Sequence, residues 1–224
     1  MKKIIIAIDG PAAAGKTTTA KQLADKLNYI YIDTGAMYRA VTLAWLNSKT
    51  KLNDKSLEKI INNINIELKK STHGQITILN GKDVSEDIRH PEVNKYVSPV
   101  SANEKVRQHL VSLQRQLGKN KCCVMDGRDI GTVVFPEAEL KIYLTASIGA
   151  RAKRRLLEYQ AKGINDLVYD EIAEQIIERD KYDSTRNISP LRKADDAIEI
   201  DTSELSLEQQ IDLVNKYALE KINS

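Results

Sequence analysis

Short apolar runs alternate with stretches of helical periodicity along most of the chain. The first run, Lys3–Ile8, is nearly continuous in β-branched residues, which is typical of a parallel strand buried on both faces. The same pattern predicts strands at Lys3–Ile8, Tyr29–Ile32, Lys121–Met125, Leu140–Leu144 and Ala197–Ile200. Helices are predicted at Thr17–Leu27, Ala36–Leu46, Glu104–Leu117, Ser147–Tyr159, Tyr169–Asp183 and Ser206–Lys221. This alternation of strands and helices predicts an α/β fold.

The pattern changes between Leu52 and Val97. After a predicted helix at Lys55–Asn63, the segments Ile64–Lys69 and Gln75–Leu79 alternate apolar with polar residues. The turn residues 71–74 separate them, which indicates a β-hairpin, and Lys82–Val84 is a candidate third strand. The sequence therefore predicts an inserted antiparallel subdomain, for which surface decoration and a substrate-holding flap are equally good interpretations.

Composition narrows the class of protein. A chain of 224 residues with 42% hydrophobic and 29% charged residues fits one large globular domain with small insertions. The net charge of +3, from 34 basic and 31 acidic residues, gives no case for a surface that wraps nucleic acid. The apolar run after Met1 is too short for a signal peptide, and no run is long enough to cross a bilayer. Cys122 and Cys123 are adjacent in a predicted strand, so we expect two reduced core thiols on opposite faces and a cytoplasmic protein.

The segment between the first strand and the first helix carries the clearest chemical signal. It reads Gly-Pro-Ala-Ala-Ala-Gly-Lys-Thr from Gly10 to Thr17 and matches GxxxxGK[ST], the phosphate-binding P-loop, in its strand–loop–helix context. Gly10 and Gly15 permit a backbone whose N–H groups point inward at phosphate oxygens. Lys16 can reach the β- and γ-phosphates, and the Thr17 hydroxyl can coordinate Mg²⁺ directly or through water. A chance Gly-Lys turn is the weaker alternative, so the sequence predicts binding of a nucleoside triphosphate.

A second polar group ends the predicted strand Lys121–Met125. Asp126, Arg128 and Asp129 should lie at the edge of the sheet where ligands bind in α/β folds. Arg128 can clamp a phosphate, and Asp129 can accept a hydrogen bond from an exocyclic amine such as cytosine N4. Asp126 is placed to hold Mg²⁺ or its waters. A salt-bridged turn in which Asp129 pairs with Arg128 explains the same residues.

Arginines are unevenly distributed in ways that favour phosphate binding. Several of them follow strand ends or flank polar loops, where positive charge can neutralise a transferring phosphoryl group. Solvated surface positions are the usual alternative for any one arginine, and the run between Arg151 and Arg155 also allows a nucleic-acid contact. The candidates are Arg39, Arg107, Arg151, Arg154, Arg155, Arg179 and Arg186.

Four motifs together resemble the bacterial cytidylate kinase family. They are the P-loop, Asp-Thr-Gly-Ala-Met-Tyr-Arg at 33–39, Asp-Gly-Arg-Asp-Ile-Gly-Thr-Val-Val-Phe-Pro at 126–136 and Glu-Arg-Asp…Asp…Arg at 178–186. The P-loop is generic, whereas the motifs at 33–39 and 126–136 are specific. The resemblance covers essentially the whole chain, including the insert.

The resemblance implies a P-loop NTPase fold: a five-stranded parallel sheet with helices on both faces, a nucleoside-monophosphate-binding insert and a lid. It implies a core at 1–33, 98–147 and 184–224, a monophosphate-binding subdomain at 34–97 and a lid region at 148–183. The implied reaction transfers a phosphoryl group from ATP to CMP or dCMP without a covalent intermediate, with Mg²⁺ as cofactor. The implied protein is a monomer whose partners are these nucleotides, with no nucleic acid and no membrane.

Site residues follow from the same resemblance. The implied ATP-binding residues are Gly10, Pro11, Ala12, Ala13, Ala14, Gly15, Lys16, Thr17 and Thr18. The implied CMP-binding residues are Thr34, Arg107 and Asp129 for the base, Arg39 and Arg128 for the phosphate, Ser98, Arg179 and Asp183 for the pentose, and Arg186 beside it. The implied catalytic residues are Lys16, Arg128, Arg151 and Arg155, and the implied metal site is Thr17 with Asp126. Arg151, Arg154 and Arg155 all belong to the lid, and the resemblance does not decide which contacts phosphate and which stacks on adenine.

Two rival functions share the P-loop. Another small-molecule kinase, such as adenylate or thymidylate kinase, would lack the 126–136 motif and the hairpin insert. A P-loop switch would hydrolyse ATP slowly without an acceptor, and it would have no second phosphate for Arg39, Arg128 and Arg179 to hold.

Overall fold

The computed structural model describes residues 2–71, 74–161, 163–164 and 166–224. Thr72 and His73, the centre of the predicted hairpin turn, lie outside the described residues. The chain divides into two compact units. The first unit comprises Met1–Ile30 and Lys121–Ser224, and the second unit comprises Tyr31–Asn120.

Helices and strands alternate as the hydrophobic pattern predicts. In chain order they are β1 (Ile5–Asp9), α1 (Lys16–Leu27), β2 (Ile30–Asp33), α2 (Thr34–Ser48), α3 (Asp54–Ile61), β3 (Ile66–Ser71), β4 (Gly74–Leu79), β5 (Lys82–Asp83), α4 (Pro91–Ala102), α5 (Glu104–Leu117), β6 (Cys123–Asp126), β7 (Leu140–Thr145), α6 (Ile148–Ala161), α7 (Tyr169–Thr185), β8 (Ile198–Asp201) and α8 (Leu207–Asn223). Short helical segments of other types cover Asp87–Arg89, a 3₁₀ turn, and Ile130–Val134, a π-helical segment.

The principal sheet has five strands in the order β2-β6-β1-β7-β8. The central strand β1 pairs in parallel with β6 on one side and with β7 on the other, and β8 continues in parallel beyond β7. All five residues of β1 are buried, as expected for a strand with neighbours on both sides and helices over the sheet. The predicted α/β fold with a five-stranded parallel sheet is confirmed.

The second unit contains the predicted insert. Strands β3, β4 and β5 form a three-stranded sheet, and β3 pairs antiparallel with β4 from Ile66↔Leu79 to Ser71↔Gly74. Ile66 and Leu79 belong to the same apolar core as residues of α2 and α5. The insert therefore shares the core of its unit, because its alternating pattern turns one face inward.

Helix α4 was not predicted. Pro99 lies inside it and argues against a helix, since proline removes one backbone donor and crowds the preceding turn. Packing compensates, because Val93, Val97 and Val100 are all buried. At its start, Pro91 occupies the first turn, where a missing N–H has no consequence.

The prediction that both cysteines lie in one strand is wrong. Strand β6 begins at Cys123, whereas Cys122 has a left-handed backbone with φ of 51° and is half-buried. Both cysteines are free. Burial raises the pKa of the Cys123 thiol to about 12, which makes it an unreactive core group.

Two element ends also differ from prediction. Helix α7 extends to Thr185, two residues beyond its predicted end at Asp183. Helix α2 begins at Thr34 because the Asp33 carboxylate accepts from Ala36 N at 2.8 Å and caps it.

Among the described residues, no helix combines the length and apolar character required to span a bilayer.

Candidate active site

The P-loop connects the buried end of β1 to the start of α1. Gly10 has a φ of 143°, and a Cβ at this position would lie 2.0 Å from the Leu144 carbonyl oxygen, so only glycine fits. Gly15 has a φ of 88°, and no side chain caps the start of α1. Its first N–H groups and the positive end of the helix dipole therefore favour an anion at this position.

Lys16 is buried within the P-loop, with 6% of its surface exposed. Its Nζ donates to the Pro11 carbonyl oxygen at 2.5 Å. Burial lowers the pKa of Lys16 well below its usual value, and the nearby Arg128 guanidinium lowers it further, while Asp126 and Asp9 oppose the shift. An anionic phosphate would stabilise the charged form of this amine, so the site favours a phosphate ligand.

Thr17 and Asp126 lie together at the ends of α1 and β6. The Thr17 hydroxyl donates to Asp126 Oδ2 at 2.9 Å, and Asp126 is buried. A hydroxyl and a carboxylate are hard oxygen ligands, so the pair fits a small divalent cation. Within the described part of the chain, no group of three or more His, Cys, Asp or Glu side chains could hold a metal by itself. The remaining ligands of a cation here would be phosphate oxygens and water.

Asp183, on α7, is surrounded by three of the predicted arginines. Arg128 Nε donates to Asp183 Oδ2 at 3.1 Å, and Arg179 Nε lies 3.9 Å from the same oxygen. Arg186 Nη1 lies 3.9 Å from Asp183 Oδ1. Arg179 and Arg186 lie four and three residues from Asp183 in the chain, whereas Arg128 comes from 55 residues away, a partner for Asp183 that the within-turn alternative for Arg128 did not anticipate.

The three predicted lid arginines of α6 have different surroundings. Arg151 is buried, donates to the carbonyl oxygens of Ala146 and Ala12 at 3.0 and 3.2 Å, and pairs with Asp180. Asp180 also accepts from Ala12 N at 3.4 Å, so this ion pair connects α6 and α7 to the P-loop.

Arg154 and Arg155, the other two arginines of α6, contact different groups. Arg154 donates to the hydroxyl and the carbonyl oxygen of Thr202, which ties it to the backbone after β8. Arg155 lies 3.6 Å from Glu158, one turn away on the same helix, and 5.9 Å from the centre of the Tyr159 ring. Arg154 is therefore anchored to the core, whereas Glu158 and Tyr159, the neighbours described for Arg155, belong to its own helix α6.

Four predicted residues lie in the second unit. Thr34 and Arg39 are on α2, and Arg39 Nη2 lies 3.4 Å from Asp33 Oδ2. Arg107, at the start of α5, donates to Ser101 O at 3.2 Å and lies 5.2 Å above the Tyr38 ring. Ser98 is half-buried on α4.

Sequence reasoning assigned no role to three charged residues near these groups. In the second unit, Arg89 Nη2 lies 3.9 Å from the Asp33 oxygen that Arg39 contacts. In the first unit, Asp180 joins Arg151 to the P-loop, and Asp9 accepts from Ile130 N and Gly131 N at 2.9 and 2.8 Å. Burial raises the pKa of Asp9 to about 7, although these two N–H bonds lower it in part. An acidic residue at the end of an otherwise apolar strand was the available signal for Asp9.

Comparison with known proteins was made on both sequence and structure. The family model described as cytidylate kinase matches residues 6–220. Relatives named cytidylate kinase from Bacillus thuringiensis (strain Al Hakam) and Bacillus cereus (strain AH187) are each 51% identical over 211 residues, covering 94% of this chain and 93% of the relative.

Solved structures show the fold alone. A shikimate kinase from Bacteroides thetaiotaomicron superposes with a TM-score of 0.51 at 14% identity, covering 100% of both chains. An uncharacterized protein from Eubacterium ventriosum ATCC 27560 gives a TM-score of 0.53 at 16% identity, covering 98% of this chain and 99% of that one. The family match over nearly the whole sequence, together with the P-loop geometry, leads to one conclusion: the chain belongs to the cytidylate kinase family.

Proposed function

We propose that this protein transfers the γ-phosphoryl group of ATP to CMP or dCMP, giving ADP and CDP or dCDP. The observation that carries this proposal is 51% identity over 94% of the chain to relatives named cytidylate kinase. The order of motifs along the chain and the buried lysine of the P-loop agree with it.

The nine residues of the P-loop region bind the ATP triphosphate in this proposal. They are Gly10, Pro11, Ala12, Ala13, Ala14, Gly15, Lys16, Thr17 and Thr18. Backbone N–H groups and the start of α1 face the phosphates, and Lys16 neutralises charge on the group in transfer. The glycine-dependent backbone and the suppressed pKa of Lys16 support these roles.

Mg²⁺ is the metal that we propose for the family's divalent cation requirement. Thr17 and Asp126 would hold it directly or through water, because their oxygens already lie 2.9 Å apart. When bound, the ion supplies positive charge to the phosphate oxygens and orients them.

Catalysis is assigned to positioning and charge neutralisation. We assign Lys16, Arg128, Arg151 and Arg155 as the catalytic residues. The acceptor is a phosphate oxygen that is already mostly ionised, so no side chain has to remove a proton. The contact of Arg151 with the Ala12 carbonyl oxygen of the P-loop supports its catalytic role. Arg155 pairs with Glu158 on its own helix, and such a pair is weak, so Arg155 would turn toward phosphate at a small cost in free energy.

Nine residues are assigned to CMP. They are Thr34, Arg39, Ser98, Arg107, Arg128, Asp129, Arg179, Asp183 and Arg186. The buried Asp129 is proposed to accept from cytosine N4, and the arginines around Asp183 to bind phosphate and pentose. Uracil would present a carbonyl oxygen to the same carboxylate, so the site should reject UMP.

The domain assignment remains a proposal. Residues 1–33, 98–147 and 184–224 would form the core, 34–97 the monophosphate-binding subdomain and 148–183 the lid. Helices α6 and α7 share a small apolar cluster of their own, including Ala152, Tyr159 and Ile172, which would let them move as one body. Closure would exclude water and limit ATP hydrolysis.

Cellular context is proposed from chemistry. Two free cysteines fit a reducing compartment, so we propose a cytoplasmic protein. We further propose that it is a monomer whose partners are the nucleotides, without nucleic acid or membrane.

A coupled assay of ADP production over a panel of nucleoside monophosphates tests the function. We expect kcat/KM for CMP and dCMP to exceed that for UMP and AMP by about 10²-fold or more, since two base contacts are each worth ~1–3 kcal/mol. Equal rates with UMP or AMP would refute the cytidylate assignment. ATP hydrolysis that CMP does not accelerate would refute the kinase assignment.

A further inference from the structure

The π-helical segment Ile130–Val134 follows directly after Arg128 and Asp129. It is closed by bonds from Val133 N and Val134 N to the Asp129 carbonyl oxygen, at 2.9 and 3.2 Å. The first N–H groups of any helical segment have no acceptor within it, so another group must satisfy them when they are buried. Asp129 stands at the capping position, yet its side chain does not cap the segment.

Asp9 supplies the missing acceptors from the neighbouring strand. Its Oδ1 accepts from Ile130 N at 2.9 Å and its Oδ2 from Gly131 N at 2.8 Å. Asp9 is 5% exposed, so water does not compete effectively for these bonds. Above its raised pKa of about 7, Asp9 is an ionised carboxylate, and N–H bonds to a carboxylate are stronger than neutral ones, so Asp9 anchors the segment firmly.

Lys141 lies beside Gly131 within this segment and also contacts Pro136, two residues beyond its end. It is buried on β7, and its Nζ donates to the Pro136 carbonyl oxygen and to Asp196 Oδ1, the latter at 2.9 Å. Its side-chain carbons pack against Gly131, where an added Cβ would lie 3.1 Å from Lys141 Cδ. The backbone after Asp129 is thus fixed by charged residues on two adjacent strands of the sheet.

We propose that Asp9 is a positioning residue for base selection, acting through Asp129. The peptide unit is planar, so a bond to Ile130 N fixes the plane that also contains the Asp129 carbonyl group and Cα. Asp9 caps the segment and the Asp129 side chain does not, and the proposed function assigns that side chain to the substrate base. The inference rests on the proposed function, since it concerns how the site distinguishes CMP from UMP.

Loss of the Asp9 carboxylate has a specific consequence in this arrangement. Asparagine at position 9 keeps one acceptor but turns an NH₂ group toward the second N–H, which loses its bond. Aspartate is among the preferred helix-capping residues, so Asp129 would be drawn back toward that N–H and away from the base. The enzyme should then discriminate less between CMP and UMP.

The test compares Asp9→Asn with a second variant and a control. Gly131→Ala reaches the same segment from the Lys141 side without altering charge, since its Cβ would press on Lys141. Asp212→Asn makes the same chemical change as Asp9→Asn, at an exposed residue of the first unit that pairs with Lys26. For each protein, kcat and KM are measured for CMP, UMP and ATP, and a thermal melt verifies folding.

We expect Asp9→Asn to lower the CMP/UMP ratio of kcat/KM about fivefold to tenfold, as the loss of one hydrogen bond would. Gly131→Ala should lower the ratio less, and Asp212→Asn should leave it unchanged. KM for ATP should change less than KM for CMP in both test variants. A ratio that stays at the wild-type value in folded Asp9→Asn would overturn the inference.

The controls separate this inference from the proposed function. Wild-type enzyme without a preference for CMP refutes the proposed function before any variant is made. Wild-type preference retained in folded Asp9→Asn, in an enzyme that prefers CMP, refutes the positioning role alone. If Asp9→Asn does not fold, Gly131→Ala decides the question, and an unchanged ratio in that variant overturns the inference.

Discussion

Replacement of Lys16 by methionine should separate catalysis from stability. Lys16 is buried with 6% of its surface exposed, and burial together with Arg128 lowers the pKa of its amine. Methionine retains the apolar stem and loses one hydrogen bond to the Pro11 carbonyl oxygen, a cost of ~1 kcal/mol. Removal of a buried positive charge beside Arg128 offsets that cost, so the free energy of unfolding should change by no more than about 1 kcal/mol.

The turnover number of Lys16→Met should fall far more than its stability. Loss of one strong electrostatic group at the transferring phosphoryl costs ~3–4 kcal/mol, so kcat should fall by about 10²–10³-fold. ADP production at saturating ATP and CMP measures the effect, and chemical denaturation measures stability. Lys26→Met is the matched control, because Lys26 lies on the same helix and forms an exposed ion pair with Asp212. That control should leave kcat unchanged and stability within about 0.5 kcal/mol.

The pH dependence of stability provides a second measure of Lys16. A lysine whose pKa is lowered on folding binds fewer protons in the folded state between that pKa and its ordinary value of 10.5. The ligand-free wild type should therefore gain stability as pH rises through this window, and Lys16→Met should lose that contribution. Near-normal turnover in Lys16→Met would remove this lysine from the mechanism. A large loss of stability would contradict the account of its buried charge.

Three further predictions concern the base, the lid arginines and closure. Asp129→Ala should lower kcat/KM for CMP more than for UMP in the monophosphate panel, because cytosine offers its N4 donor to this carboxylate where uracil has a carbonyl oxygen. Equal losses would assign Asp129 to phosphate positioning instead. Arg155→Ala should lower kcat with little change in melting temperature, whereas Arg154→Ala should lower the melting temperature because its bonds to Thr202 are lost. The reverse pattern in kinetics and melts would exchange these roles. Amide hydrogen exchange in α6 should slow when a bisubstrate analogue is added, and unchanged exchange would indicate a preformed site.

The sequence by itself predicted the features whose physical cause lies within a few neighbouring residues. A buried strand, two glycines and a lysine before a helix define the P-loop without any distant residue, and the structure has this geometry at Gly10 and Gly15. Periodicity likewise predicted five strands that pair in one parallel sheet. Helix α4 escaped prediction because Pro99 is a local signal against a helix, while the favourable packing of Val97 and Val100 is a property of the folded core.

Partnerships between distant residues were decided only by the tertiary structure. The sequence identified Arg128, Arg179, Asp183 and Arg186 as candidates. Arg179 and Arg186 lie within four residues of Asp183, but Arg128 reaches the Asp183 carboxylate only because the end of β6 meets α7. Asp9 lies 121 residues before Ile130, and its role as the cap of that segment exists only because β1 and β6 are neighbours in the sheet. Residue type and local spacing determine which chemistry is available, whereas the packing of strands and helices determines which groups are close enough to act together.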